Sequence, residues 1–332
     1  MRKVRIAQIG NNFNSHGPQI FRSICKQSDL FEVVGYALPE NGHDLPASRN
    51  TCFEGYREMS LQEILEDKSI EAVTVETDET HLTKYAKLAV EAGKHVHMEK
   101  PGGIDPVAFE ALIDAVKQQG NVFHIGYMYR YNPLVADLLA RIRRGELGEI
   151  ISVEAQMNCH HTDEVRHWLK DYPGGMMFYL GCHLVDLILQ ICGKPQEIIP
   201  LNCSTGVGGI DSVDYGMAIF RYPHGVSFAK TSAMEYGGYL RRQLVVTGSL
   251  STVELKPFEY GSEAHMFTDM RESRVHRWSD PGVCTTSPEF DRYDNMLASF
   301  AAMVRGDAVN PYTPDYELEL YRTLMTCCRV PC

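Results

Sequence analysis

The chain has 332 residues, of which 44% are hydrophobic and 23% charged, and its formal net charge is −11. This is the balance of a soluble globular protein long enough for two domains. The acidity argues against a nucleic-acid or anionic-membrane partner, both of which need basic patches, and no apolar run approaches the ~18 residues of a membrane span. The amino terminus runs straight into a strand, which predicts no signal peptide and a cytoplasmic protein. Ten cysteines are scattered along the chain. Without a secretory signal they read as buried thiols in a reducing compartment, including Cys327, Cys328 and Cys332, which cluster without a Cys-x-x-Cys spacing.

In chain order, residues 4–10 form a buried strand ending at Gly10, 17–28 a helix, 31–38 a second strand and 60–70 a helix with Ser60 as N-cap and Glu63 at the capping-box position. Residues 71–77 are a third strand, 80–93 a helix closed by Gly93, and 95–99 a fourth strand. Residues 105–120 form a helix capped by Asp105 with Pro106 at its first position, and 122–129 a fifth strand. Alternating strand–helix units with short connections predict a parallel, doubly wound sheet. Beyond about residue 130 the pattern changes. A helix and turn over 132–150 lead to an alternating strand at 150–159 and a helix at 174–193. Strand-like segments follow at 197–206, 212–222, 225–235 and 241–257, with few helices between, and a last helix covers 315–328. That is the mark of a mostly antiparallel open sheet.

The strongest local signal is Glu99-Lys100-Pro101, placed directly after the segment Glu91–Met98. Helix end, short strand and then lysine put Lys100 just past a strand's carboxyl end, the edge where open parallel sheets bind ligands. A lysine presented there is suited to proton transfer or to holding a hydroxyl. With Arg130–Pro133 (RYNP), Gly145–Ile150 (GELGEI) and Gly181–His183 (GCH), this run resembles the signature of the glucose–fructose oxidoreductase / inositol dehydrogenase / MocA family of nicotinamide-dependent sugar and polyol dehydrogenases. The resemblance covers essentially the whole chain. It implies an α/β fold: a Rossmann domain over 1–126, then an α+β substrate and oligomerisation domain over 127–332 with a large open sheet. The last helix, about 314–328, is expected to pack back on the first domain.

A dinucleotide site needs a glycine turn after the first strand, where backbone amides and a helix dipole meet the diphosphate. Here the turn reads Gly10-Asn11-Asn12-Phe13-Asn14-Ser15-His16-Gly17, and only Gly10 matches the glycine fingerprint. Asn12 stands at the second glycine position, where its tolerance of left-handed backbone angles serves the turn, and Ser15 at the third. The acidic residue expected after the second strand falls near Leu38-Pro39-Glu40, so Glu40 is the candidate for the adenosine ribose. With no arginine beside it, NAD is favoured over NADP. By analogy with the family, Thr77 and His81 of the third-strand loop line the nicotinamide side, together with Glu99 and Lys100. Thr80 or Asp78 is expected to cap the next helix.

The segment 174–187 resembles the family's catalytic helix, in which an aspartate stands four residues before the histidine. His183 is kept, but the aspartate position is Tyr179. On a helix these positions share a face. Lys100 and His183 then suffice for acid–base work, and Tyr179, acidified by a nearby ammonium, is the stand-in for the carboxylate; its other reading is an aromatic core residue. Asp186 would orient a partner on the same face. The polar run 158–168 supplies substrate candidates: Trp168 to stack on a sugar face, and Arg166 and His161 to bond its hydroxyls or a carboxylate, joined by Tyr127 and Arg130. His160, His161, Asp163 and His167 have no recognised ligand spacing, so no metal site is expected. The resemblance implies an enzyme acting on the hydroxyl or carbonyl of a sugar, polyol or keto-glycoside. Two alternatives are a redox-neutral glycoside-processing enzyme with tightly held NAD and a non-catalytic sugar-binding relative. A homodimer or homotetramer through the carboxy-terminal sheet is also implied.

Overall fold

The structure, a computed structural model, describes residues 2–40, 42–275 and 277–329; Cys332 lies outside them. The chain divides into two compact units, Met1–Met128 with Tyr293–Tyr321, and Tyr129–Arg292 with Arg322–Cys332.

The first unit follows the expected alternation: β1 (Val4–Ile9), α1 (Gly17–Lys26), β2 (Phe31–Ala37), α2 (Ala47–Asn50), α3 (Leu61–Glu66), β3 (Ala72–Val75), α4 (Leu82–Glu91), β4 (His95–Met98), α5 (Pro106–Gln119) and β5 (Phe123–Ile125). All strands are parallel, in the order β2-β1-β3-β4-β5. The apolar residues of β1, β3 and β4 are buried, as strands covered on both faces require. Ser60 and Glu63 close a full capping box on α3, and the Asp105 carboxylate caps α5 by accepting from the Val107 and Ala108 N–H groups. The sheet order reverses between β1 and β3, so the ligand crevice of this fold lies outside the carboxyl ends of those two strands.

The second unit contains α6 (Pro133–Arg143), β6 (Ile150–Asn158), α7 (Asp163–Trp168) and α8 (Cys182–Cys192). It continues with β7 (Glu197–Pro200), β8 (Tyr215–Tyr222), β9 (Gly225–Ser232), β10 (Gln243–Gly248), β11 (Thr252–Leu255), β12 (Tyr260–Ser262), β13 (His265–Phe267), β14 (Asp269–Ser273) and β15 (Val283–Thr286). An eight-stranded sheet runs β15-β14-β11-β10-β6-β9-β8-β7, antiparallel except where β6 meets β9. The single apolar segment 241–257 is a β10–β11 hairpin rather than one strand. One sheet face buries Ala218, Phe220, Ala229, Leu244 and Val246, while the alternating Met217, Ile219, Phe228 and Val245 are only half-buried.

A helix that the sequence reading left out, α9 (Asp294–Arg305), returns the chain to the first unit. It packs on α1, where Asp294 accepts from Ser23 Oγ at 2.6 Å, and its Phe300 ring covers His97 and His124. The last helix, α10 (Pro314–Cys327), belongs to the first unit through Tyr321, whose ring stacks on Phe109 at 4.1 Å.

Candidate functional site

The first unit's crevice is built from three chain segments. After β1, Gly10 takes φ +89°, and a Cβ there would lie 2.4 Å from Thr77 Cγ2. Only glycine lets this turn lie against the end of β3. Gly17, at the start of α1, does a second glycine's work: an added Cβ would lie 3.2 Å from Glu76 Cβ and 2.9 Å from Asn11 Oδ1. Close helix–strand packing is therefore kept, two residues later than the fingerprint places it. Asn12 does not use a left-handed backbone; among the described residues Glu40 is the non-glycine with positive φ, at 56°. Instead the Asn12 amide donates to Glu79 Oε2 at 3.0 Å, and its oxygen faces the Asn14 N–H at 3.4 Å. Asn11 is pinned by Arg49 O and Asn50 Oδ1, each at 2.9 Å, and the Arg49 guanidinium donates to the carbonyls of Asn12 and Ser15. Phe13, at the loop tip, is exposed.

Glu40 is exposed just past the end of β2. Its carboxylate accepts from Lys84 Nζ at 2.7 Å and Tyr85 Oη at 2.6 Å, which lower its pKa to about 2, and His81 Nδ1 lies 4.0 Å away. Glu40 and His81 are thus brought together at the start of α4. His81 is itself the N-cap residue of α4, while Asp78 accepts from Thr80 in the preceding turn.

Lys100 is buried at the end of β4, its Nζ 3.7 Å from Glu99 Oε1, and the Lys100–Pro101 peptide is cis. Around it stand three buried carboxyls: Glu99, Glu76 and Glu79. Burial first, then the Glu99 charge, pushes the Glu76 pKa well above the ordinary value. Burial raises Glu79 to about 8 against the opposing pull of Lys100, and raises Glu99 as well, although the Lys100 ammonium and the His16 backbone N–H stabilise its charge. Behind them, burial lowers His97 to about 3. Its Nδ1 meets His124 Nδ1 at 2.7 Å, so one ring donates and the other accepts. Thr77 Oγ1 is buried without a partner among the described residues. The polar loop Glu76–Glu79 directly after a fully buried strand was the signal for the two missed carboxyls. Arg49 had no signal in the sequence, because it lies twelve positions beyond Ala37, the end of β2.

In the second unit, His183 is buried on α8 with the edge of its ring toward Tyr129, centroids 4.9 Å apart. Tyr179 lies in a π-helical turn, Met177–Gly181, just before α8. Its ring packs edge-on against Trp168 at 5.1 Å and lies 5.9 Å from His161. The segment expected as one helix is thus a π-helical turn, wider than an α-helical one, followed by α8, and Tyr179 and His183 lie on either side of that junction. His161, Trp168 and Tyr179 form one group, in which burial, ahead of the Arg242 charge, lowers His161 to about 4.

Arg130 and Asp186 are joined to each other in a buried bidentate pair, at 2.9 and 2.8 Å, and Gln190 adds a third bond to Asp186. Arg166 does not reach outward as expected. Its buried guanidinium bonds Asp214 at 2.8 and 3.0 Å, Val207 O at 2.7 Å and Asp163 at 3.1 Å. Tyr127, in the first unit, is buried. His160 stacks on Tyr236. Among the described residues no group of three His, Cys, Asp or Glu side chains could hold a metal, and no helix is long and apolar enough to cross a membrane.

Residues 4–127 match the oxidoreductase family with an NAD-binding Rossmann fold, GFO/IDH/MocA, and residues 135–254 match the GFO/IDH/MocA C-terminal domain. The chain belongs to this family. It is 26% identical over 269 residues to the oxidoreductase ORF334 of Rhizobium meliloti, covering 80% of this chain and 79% of that one. It is also 26% identical over 226 residues to the NADP-dependent scyllo-inositol 2-dehydrogenase IolW of Bacillus subtilis, covering 67% of this chain and 58% of the relative. In fold it is similar to KijD10, a 3-ketoreductase from Actinomadura kijaniata solved with NADP and TDP-benzene: TM-score 0.76, 18% identity, 96% of this chain and 95% of that one.

The crevice fits a dinucleotide on its own geometry. Gly10 and Gly17 let the turn and the start of α1 pack directly against the end of β3, beside a threonine hydroxyl without a partner among the described residues, at the switch point of a parallel sheet.

Proposed function

We propose that this protein transfers a hydride between a nicotinamide cofactor and the hydroxyl or carbonyl carbon of a sugar, polyol or keto-glycoside. The observation that carries this reading is Lys100: a buried ammonium, paired with Glu99, at the carboxyl end of β4 in an NAD-binding fold. The relative IolW, by name an inositol dehydrogenase, supports the substrate class.

Gly10, Asn11, Asn12 and Phe13 would hold the diphosphate, and Thr77 the nicotinamide end. The bound cofactor supplies the hydride acceptor or donor. Lys100 holds the substrate oxygen; as an ammonium it stabilises the charge that develops there and gives the oxygen a proton in the reductive direction, and as the neutral amine it takes that proton in the oxidative direction. His183 is the second proton-transfer group. Trp168, with His161 and Tyr179 beside it, offers an aromatic face for a sugar ring. The buried Arg130–Asp186 pair is read as holding α8, which carries His183, rather than as touching substrate.

Titration of the protein with NADH and with NADPH, followed by nicotinamide fluorescence, tests the reading and reports the preferred cofactor. Saturable binding and turnover of a sugar or polyol are expected. Absence of binding to either cofactor would overturn it. We further propose that the half-buried apolar face of the large sheet is covered by a second copy of the chain.

A further inference from the structure

We propose, on the dinucleotide reading above, that Glu79 is a positioning residue of the cofactor site that works only as a neutral carboxyl. It fixes the Asn12 side chain between the end of β3 and the Asn14 amide, and its ionisation expels the diphosphate, so cofactor binding is coupled to a proton retained here.

A side chain at the second glycine position has to be placed somewhere, because the backbone amides of this turn are what a diphosphate uses. In this chain the Asn12 carboxamide is folded toward the end of β3, where Glu79 Oε2 accepts its N–H at 3.0 Å. Glu79 is 2% exposed, and among the described residues it forms no ion pair within 4.0 Å. A carboxylate buried against a neutral amide loses more hydration than the more distant Lys100 charge returns, and protonation relieves that cost.

The groups facing it reinforce this. Asp78 follows on the same loop, and Glu76 and Glu99 come from the ends of β3 and β4. Lys100 is the opposing cation, and it is already engaged by Glu99 at 3.7 Å. On the glycine-loop side, the Arg49 guanidinium is turned onto the Asn12 and Ser15 carbonyls. The elevated Glu79 value, about 8, agrees with the geometry. A diphosphate brought to this loop adds negative charge beside a carboxyl that is uncharged below that pH, and it would meet a like charge above it.

The sign follows from linkage. If only the protonated form binds, affinity is level below pH 8 and falls tenfold for each pH unit above it, so wild-type Kd at pH 9 is about tenfold that at pH 7. The test is fluorescence titration of the full chain with NADH and NADPH from pH 6.5 to 9.5. Calorimetric titrations in buffers of different ionisation enthalpy run alongside and count protons taken up. E79Q keeps a neutral acceptor for Asn12; its Kd is expected to match wild type at pH 6.5, to stay level up to pH 9 and to lose the proton uptake. Glu79→Ala releases Asn12, and its Kd is expected to rise about tenfold at every pH, while thermal unfolding without cofactor reports whether the variant is folded. A wild-type pH profile retained in E79Q would overturn the proposal and leave the dinucleotide reading standing. No binding by wild type at pH 6.5 would overturn that reading, and the proposal with it.

Discussion

Lys100 and Asp186 show how differently two buried charged residues are used. Lys100 places its Nζ 3.7 Å from Glu99 Oε1, at a sheet edge built for ligands. Its replacement by alanine is expected to lower kcat by ~10²–10⁴-fold, the usual contribution of a positioned acid–base group, in protein that still unfolds cooperatively and binds NADH. Steady-state kinetics beside a thermal scan read this, and turnover retained in Lys100→Ala would show that another group moves the proton. Asp186, by contrast, spends both oxygens on Arg130 and Gln190. Asp186→Ala leaves the Arg130 charge buried without its carboxylate, and unfolding in urea is expected to report a loss of about 3–5 kcal/mol. A loss below 1 kcal/mol would mean that the pair is not stabilising. Lys100 was legible in the sequence because its setting is local: helix stop, strand, then lysine. The commitments of Arg166 and Arg130 were not, since their partners lie 48 and 56 positions away.

At the scale of elements, the parallel sheet of the first unit was readable because its strands are short apolar runs and the helices α3 and α5 carry their own caps. The π-helical turn before α8 was not. The sequence there is apolar and periodic enough to pass for one continuous helix, and only the folded backbone over Met177–Gly181 shows the wider turn. The second unit is also tied by a buried network with no sequence signature. Glu259 accepts from Arg242 at 2.8 Å, from Tyr129 Oη at 2.5 Å and from Arg292. Burial alone would raise the Glu259 pKa, but the Arg292 and Arg242 charges outweigh it and hold the value below 4.5. Because the folded value lies below the unfolded one, this carboxylate's contribution to stability is complete above about pH 4.5 and is lost as the pH falls through the folded value. Denaturation of Glu259→Gln from pH 3 to 7 is expected to show a less stable protein at neutral pH with a shallower acid limb. An unchanged acid limb would show that other carboxylates set it.

On the scale of the whole molecule, the large sheet presents Met217, Ile219, Phe228 and Val245 half-buried on one face, with Ile219 directly opposite Phe228. An apolar sheet face of that kind is a site of association in soluble proteins. Light scattering with size-exclusion chromatography is expected to show a dimer or tetramer for the wild type and a smaller species for Phe228→Asp; a wild-type monomer at micromolar concentration would dismiss the interface. By itself the sequence determined the order and type of most elements, the family and the place of Lys100, because strand alternation, helix caps and a strand-end motif are set by neighbours within a few residues. It also carried α9 unread, with apolar positions Met296, Leu297, Phe300, Ala301 and Val304 at helical spacing. What only the tertiary structure decided is which polar groups meet: Glu79 with Asn12, Glu40 with Lys84 and Arg166 with Asp214. The reason is physical. Backbone pattern is a short-range property of the chain, whereas the desolvation and pairing that govern a buried charge depend on residues brought close by the fold.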